Sequence, residues 1–259
     1  MTVPTVTLPL PDGSTAEMPM IGFGTWRTRG DEAYTATRAA LDAGYRHIDT
    51  ATMYDNEAEV GRALRDSGVP REDVFITTKL LSEDAGREKQ ALTGSLRKLG
   101  VQQVDLWLIH WPPGGLAAPE VWRELIGAQD HGFVRSIGVS NYSPEQIDEL
   151  TDATGRPPVV DQVPWSPARH DAALLADLRA RNVVVEGYGP IKRTPMSAPA
   201  LLEIAARHGK TPAQVVLRWH LQHRIVIIPK SVRPERIAEN IDLFGFALTD
   251  AEMQTLDKL

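Results

Sequence analysis

The 259-residue sequence predicts an α/β fold, a single (β/α)8 TIM barrel over residues 1–259 with an N-terminal β-hairpin. Three observations predict it. Short β-rich runs alternate with helical patterns along the chain, which implies a parallel sheet with crossover helices. There are eight such runs, the number that closes a barrel. Polar residues end several of them at a steady interval: Asp49 to Lys79 is 30 residues, Lys79 to His110 is 31, and His110 to Ser140 is 30. One strand–helix–strand unit needs roughly that length. A Rossmann-type open sheet is the alternative. It lacks support, because no G-x-G-x-x-G follows an early strand and "GFG" at Gly22 to Gly24 is too short.

In order, "TVTLPLPDGSTAEMP" alternates apolar and polar residues and turns at Asp12-Gly13, the pattern of a short hairpin. The strand runs follow as "MIGFGTW", "YRHIDT", "VFITTK", "VDLWLIH", "VRSIGVS", "VVDQV", "VVVEGY" and "RIVIIPK". Between them, helical spacing links Ala36, Ala39, Ala40 and Ala43, then Leu92, Leu96 and Leu99, then Val121, Trp122, Leu125 and Ile126. In a barrel the C-terminal strand ends share one face, where active sites lie. Asp49, Lys79, His110 and Ser140 are therefore expected to converge.

Composition narrows the chemistry. A net charge of −6 gives no general reason to bind nucleic acid or membrane, so any anion site must be a local cluster. The absence of cysteine excludes thiol catalysis, disulfides and cysteine-based zinc sites. The N-terminus lacks the basic start and apolar core of a signal peptide, and no apolar run nears the roughly 20 residues of a membrane helix. The expectation is a cytoplasmic protein with no nucleic-acid or membrane partner.

"YRHIDTATMYDNEAEVG" places Asp49 at a strand end and Tyr54 five residues on. A free phenol keeps its proton at neutral pH, with a pKa of about 10. A nearby ammonium stabilises the phenolate and makes the phenol a better acid. Lys79 can supply that charge and Asp49 can pin the lysine. His110 can orient a substrate carbonyl or share in proton transfer. Such a set suits protonation of a carbonyl oxygen while a nucleophile attacks the carbon. No cysteine is present and no serine sits in a G-x-S-x-G turn, so a cofactor hydride fills that role.

Each residue alone is commonly structural: a cap, a packing phenol, a rim charge. Their recurrence at one period makes a joint accident much rarer. Two chemical alternatives use similar residues. His47 and Asp49 with His110 resemble part of a metal-hydrolase site, but later strand ends offer Ser140, Gln162 and Tyr188 rather than further ligands, so no metal is expected. Lys79 as a Schiff-base lysine would want an apolar setting without a fixed carboxylate. Near the C-terminus, "IIPKSVRPERIAEN" ends a strand at Lys230-Ser231 and opens a helix at Pro234. Lys230, Ser231 and Arg236 with free backbone N–H groups make an anion site, where a late barrel unit commonly holds phosphate.

The sequence resembles the aldo-keto reductases, nearest their bacterial 2,5-diketogluconate-reductase-like branch. "GYRHIDTATMYDNEAEVG", "VRSIGVSNY" and "IPKSVRPERIAENIDL" are similar to three family signatures in order, and "IGFGTW", "TTKL", "LIHWP" and "GKTPAQVVLRWHLQ" carry the branch resemblance. The resemblance implies an NADP-dependent oxidoreductase that moves hydride from NADPH to an aldehyde or ketone. It implies Tyr54 as proton donor, Lys79 and Asp49 as the groups adjusting its acidity, and His110 as the group positioning the carbonyl. By the same resemblance Ser140, Asn141 and Gln162 bond the nicotinamide carboxamide and Tyr188 stacks on the ring. Lys230, Ser231 and Arg236 grip the adenosine 2′-phosphate, with Glu239 and Asn240 near the adenine. Trp26 and Trp111, with Tyr54 and His110, line the pocket of a monomer acting on a small carbonyl substrate. A nucleotide-sensing or partner-binding barrel with little turnover is the alternative from another class.

The sequence departs from the family pattern in places. Val163-Pro164-Trp165 follows Gln162 where "VE" and an aromatic are frequent, and Gly187-Tyr188-Gly189-Pro190 replaces the usual "YSP". Leu81 stands where an aromatic is frequent. The chain ends at Leu259 soon after its last helical pattern, so the expectation is a pocket open on the side that a C-terminal extension covers in the family.

Overall fold

A computed structural model describes residues 3–192 and 194–259. Strands β1 (Thr5–Pro9) and β2 (Thr15–Pro19) pair antiparallel as the expected hairpin. Its turn needs a left-handed residue, which Gly13 provides at φ 82°. Asp12 Oδ1 accepts from the Ser14 backbone N–H at 3.0 Å. Val6, Leu8, Ala16 and Met18 alternate inward and are buried.

Eight strands follow in one parallel sheet in sequence order: β3 (Phe23–Gly24), β4 (His47–Asp49), β5 (Phe75–Leu80), β6 (Val104–Ile109), β7 (Val134–Ser140), β8 (Val160–Pro164), β9 (Val184–Tyr188) and β10 (Val226–Ile227). The sheet closes on itself. Ile21 forms a parallel bridge to Ile227, the Gly22 N–H donates to Ile227 O at 2.7 Å, and the Ile227 N–H donates to Met20 O at 3.0 Å. All eight sequence runs carry a strand, but the first and last are cut to two residues each. The two ends nevertheless stay in contact past the assigned strands: Gly24 lies so close to Ile228 that an added Cβ would sit 2.7 Å from its carbonyl oxygen, and the Gly24 N–H donates to Pro229 O at 3.2 Å.

The outer layer contains α1 (Gly30–Asp42), α2 (Glu57–Ser67), α3 (Glu88–Leu99), α4 (Pro119–Asp130), α5 (Pro144–Thr154), α6 (Ala172–Ala180), α7 (Pro199–His208), α8 (Pro212–Gln222), α9 (Pro234–Ile241) and α10 (Asp250–Leu256). The expected apolar faces point inward: Ala36 and Ala40 on α1, Leu92 and Leu99 on α3, and Val121, Trp122 and Leu125 on α4 are buried. Burying each large apolar side chain contributes about 1.5–3 kcal/mol. Ser143, Thr211 and Thr249 begin α5, α8 and α10 with reciprocal capping boxes to Gln146, Gln214 and Glu252. Each satisfies two helix-end donors. The β9–β10 connection holds two helices, α7 and α8, where simple alternation expects one; Gly209, at φ 59°, ends the first.

Inside the barrel the side chains of His47, Asp49, Thr77, Lys79, Gln162 and Glu186 are all buried. Gly22 makes room for His47. A Cβ there would lie 2.6 Å from His47 Nδ1. No helix among the described residues is long and apolar enough to cross a membrane.

Candidate active site

The strand-end residues converge as the spacing predicts. Lys79, on β5, is completely buried, and its Nζ donates to Asp49 Oδ1 and Oδ2 at 2.7 Å each and to Thr50 O at 2.9 Å. The Tyr54 hydroxyl lies 3.3 Å from the same nitrogen. The loop between Asp49 and Tyr54 is held by Asn56, whose Nδ2 donates to Thr25 O at 2.9 Å and Thr28 O at 3.0 Å while its Oδ1 accepts from Thr50 Oγ1 at 2.8 Å. Asp55 turns the chain with φ 52°. The polar "DNE" therefore fixes where the phenol points.

Electrostatics correct one expectation. Lys79 does pull the Tyr54 phenol toward a lower pKa, but burial outweighs it and Asp49 opposes it, so the group is pushed up to about 12. At neutral pH Tyr54 is fully protonated. Its usefulness as an acid rests on Lys79, which stands ready to stabilise the phenolate once the proton leaves. His110 stands edge-on to the Tyr54 ring at 5.7 Å between centroids. Burial, and then Lys79, push its imidazole down to about 3. It is neutral, with Nδ1 buried and unpartnered among the described residues, so it can hydrogen-bond a carbonyl but does not arrive carrying a spare proton.

The cofactor candidates lie along the same rim. Ser140 Oγ donates to Gln162 O at 2.7 Å. Asn141, left-handed at φ 63°, donates from Nδ2 to Ser140 Oγ at 2.9 Å and accepts at Oδ1 from the Tyr188 hydroxyl at 2.9 Å. That bond orients the half-buried Tyr188 ring. Gln162 reaches deeper than a simple rim contact: its Nε2 donates to Asp49 Oδ2 at 2.8 Å and to Glu186 Oε2 at 2.9 Å. Only its Oε1 is left to meet a ligand.

Lys230 and Arg236 are exposed beside the start of α9, where Pro234 takes the first helical position and no side chain caps the end. Ser231 Oγ accepts from the Arg233 N–H at 3.1 Å. Glu239 accepts from Thr211 Oγ1, and Asn240 is buried. Two exposed cations and uncapped N–H groups fit a phosphate, and the free Gln162 Oε1 fits an amide N–H. Trp26 and Trp111 are half exposed. Trp26 and Tyr54 line a cavity of about 380 Å³ together with Arg27, Arg29, Glu32 and Met53. No group of three or more metal-ligating side chains occurs among the described residues.

Spacing alone passed over Glu186. It sits opposite Gln162 in register, two residues before Tyr188 and so on the same face of β9. That parity was the available signal.

The aldo/keto reductase family model matches residues 20–259. The chain is 41% identical over 263 residues to methylglyoxal reductase DkgA of Escherichia coli (strain K12), covering 100% of this chain and 94% of that protein. It is similar to the crystal structure of an aldo/keto reductase from Brucella melitensis, with TM-score 0.94, 40% identity, and coverage of 100% of this chain and 98% of that one. A Gox0644 mutant solved in complex with NADPH matches with TM-score 0.90 and 38% identity, over 98% of this chain and 93% of that one.

Proposed function

The chain belongs to the aldo/keto reductase family, and from that premise we propose that it reduces aldehydes or ketones with Tyr54 as the proton donor. It is an oxidoreductase that uses NADPH, as in the related NADPH complex. The observation that carries the proton-donor role is the Tyr54 hydroxyl 3.3 Å from a lysine held on both oxygens of Asp49.

Bound NADPH supplies the hydride to the carbonyl carbon. The protein's own residues do the rest. Lys230, Ser231 and Arg236 hold the 2′-phosphate, with Glu239 and Asn240 near the adenine. Ser140, Asn141 and Gln162 Oε1 meet the carboxamide, and the tethered Tyr188 ring stacks on the nicotinamide. The neutral His110 imidazole offers an N–H to the carbonyl oxygen and fixes its direction. Tyr54 then passes its proton to that oxygen as charge builds there, and Lys79 stabilises the resulting phenolate. Asp49 keeps Lys79 charged and aimed at the hydroxyl. Trp26 and Trp111 form the apolar rim.

The DkgA relative is a methylglyoxal reductase, so small 2-oxoaldehydes are the first substrates to try. NADPH consumption with methylglyoxal and a panel of small aldehydes tests the reading; no turnover with any of them would favour a nucleotide-sensing or partner-binding barrel. The complete proton-transfer set argues against that alternative. We place the enzyme in the cytoplasm as a monomer, with residues 1–259 as one functional unit. Gel filtration and cell fractionation test this.

A further inference from the structure

We propose that Glu186 is a positioning residue for the cofactor site, holding the Gln162 amide so that its Oε1 faces the nicotinamide carboxamide. The inference rests on the reading of Gln162 as a carboxamide contact.

A glutamine amide has two N–H donors on one side and a carbonyl acceptor on the other. Gln162 Nε2 spends one donor on Asp49 Oδ2 at 2.8 Å and the other on Glu186 Oε2 at 2.9 Å. The two acceptors come from different strands, β4 and β9, and all three side chains are buried. A flipped amide would set Oε1 against the Asp49 carboxylate, two acceptors with no proton between them. Asp49 alone would leave one buried N–H without an acceptor, which costs about as much as a hydrogen bond. Glu186 Oε2 supplies that second acceptor.

The far side of Glu186 is equally constrained. His47 Nδ1 lies 3.3 Å from Pro19 O, which can only accept, so Nδ1 carries the hydrogen. Burial pushes His47 down to about 4, so its Nε2 presents a lone pair. That lone pair accepts from Thr77 Oγ1 at 3.1 Å and faces Glu186 Oε1 at 3.6 Å. Glu186 Oε1 is itself buried with no hydrogen-bond partner among the described residues, so a proton there avoids an uncompensated buried charge. Burial and the charge of Asp49 push Glu186 up to about 8, against the pull of Gln162 and Lys79, which agrees with that placement. The charged and titratable groups around it are His47 and Asp49 from β4, Lys79 from β5 and Tyr54 beyond. On β10, Val226 is its partner in register. The neutral acid accepts from Gln162 with one oxygen and faces His47 with the other, so the Asp49–Lys79 pair has no second buried anion beside it.

A cofactor analogue separates this role from a structural one. The 3-acetylpyridine form of NADPH has a methyl ketone where the carboxamide is, and so gives Gln162 Oε1 no N–H. Glu186→Leu should weaken NADPH binding about tenfold, the worth of one such hydrogen bond, and weaken the analogue less than about twofold on the same basis. Glu186→Gln reproduces the neutral acid and should restore NADPH affinity. Glu186→Asp, which keeps the polarity but withdraws the acceptor by one methylene, should show the same selective loss if the leucine variant does not fold. Equal weakening of both cofactors, or of neither, in a folded Glu186→Leu or Glu186→Asp variant would overturn the proposal. Gln162→Leu distinguishes the two levels: if it too fails to discriminate the cofactors, the carboxamide reading itself is wrong. If it discriminates and the Glu186 variants do not, only the positioning role fails.

Discussion

Lys79→Met is the most demanding test of the catalytic core, because the structure fixes what the change leaves behind. Lys79 Nζ contacts both oxygens of Asp49 at 2.7 Å, and both side chains are buried. Without the lysine, the Asp49 carboxylate keeps one side-chain donor, Gln162 Nε2 at 2.8 Å. Removing one partner of a buried ion pair costs about 3–5 kcal/mol, since it strands a charge in a medium that solvates it poorly. For a protein of this size each kcal/mol moves Tm by roughly 2–4 °C, so melting should fall by about 6–20 °C. Adding Asp49→Asn removes the stranded charge, and the double variant should be clearly more stable than Lys79→Met alone. The stranded carboxylate can also relieve itself by taking up a proton. The deficit against wild type should therefore narrow as pH is lowered toward about 5. Urea unfolding of wild type and the two variants at both pH values measures this. A deficit under about 1 kcal/mol, the range of an exposed ion pair, or one that does not change with pH, would mean that Lys79 and Asp49 do not act as a buried ion pair.

Three further outcomes follow from the same geometry. Tyr54→Phe deletes only the hydroxyl 3.3 Å from Lys79; NADPH should still bind by fluorescence titration, while carbonyl reduction falls at least ~10²-fold, and near wild-type turnover would end the proton-donor role. Lys230→Met with Arg236→Ala should weaken NADPH far more than NADH, since each charge-assisted phosphate contact is worth roughly 1.5–3 kcal/mol; equal losses would remove the 2′-phosphate assignment. His110, held down at about 3 against an ordinary value of 6.5, binds its proton more readily unfolded than folded. Its contribution to stability therefore increases as pH rises from about 3 to 6.5, and His110→Asn should flatten the pH dependence there by up to about 1.4 kcal/mol per pH unit. An unchanged slope in denaturant titrations would mean the imidazole is not held neutral.

The barrel was legible because two independent periodicities agreed. Apolar helical spacing on α1, α3 and α4 set which residues face the sheet, and the interval between polar strand ends set how the strands repeat. Asp49, Lys79 and His110 met because each stands at, or just beside, the C-terminal end of its own parallel strand. Where reading by periodicity fell short, local chemistry held the missing signal. The second helix between β9 and β10 is announced by Gly209 as a stop and by the Thr211-Pro212-Ala213-Gln214 box as a start, neither of which is an apolar period. The close approach of Gly24 to Ile228 at the barrel seam is a meeting of residues far apart in sequence, which no local period announces.

What spacing could not supply was the outcome of competition between burial and charge. The sequence names an ammonium beside a phenol, and that pair alone argues for a lowered pKa. Whether the pull wins depends on how far the packing around Tyr54 keeps water away, which the pair alone does not state. The structure decides for burial: the phenol is driven up even with Lys79 beside it. A protonated acid facing a fixed cation is the arrangement a reductase needs, because the lysine's stabilisation counts only once the proton has moved. The same enclosure explains why Glu186 escapes a search for strand-end charges. One buried carboxyl on an apolar strand is costly by itself and tolerable only with partners. Its partners, Gln162 and His47, come from strands β8 and β4, which only the closed sheet brings to its side.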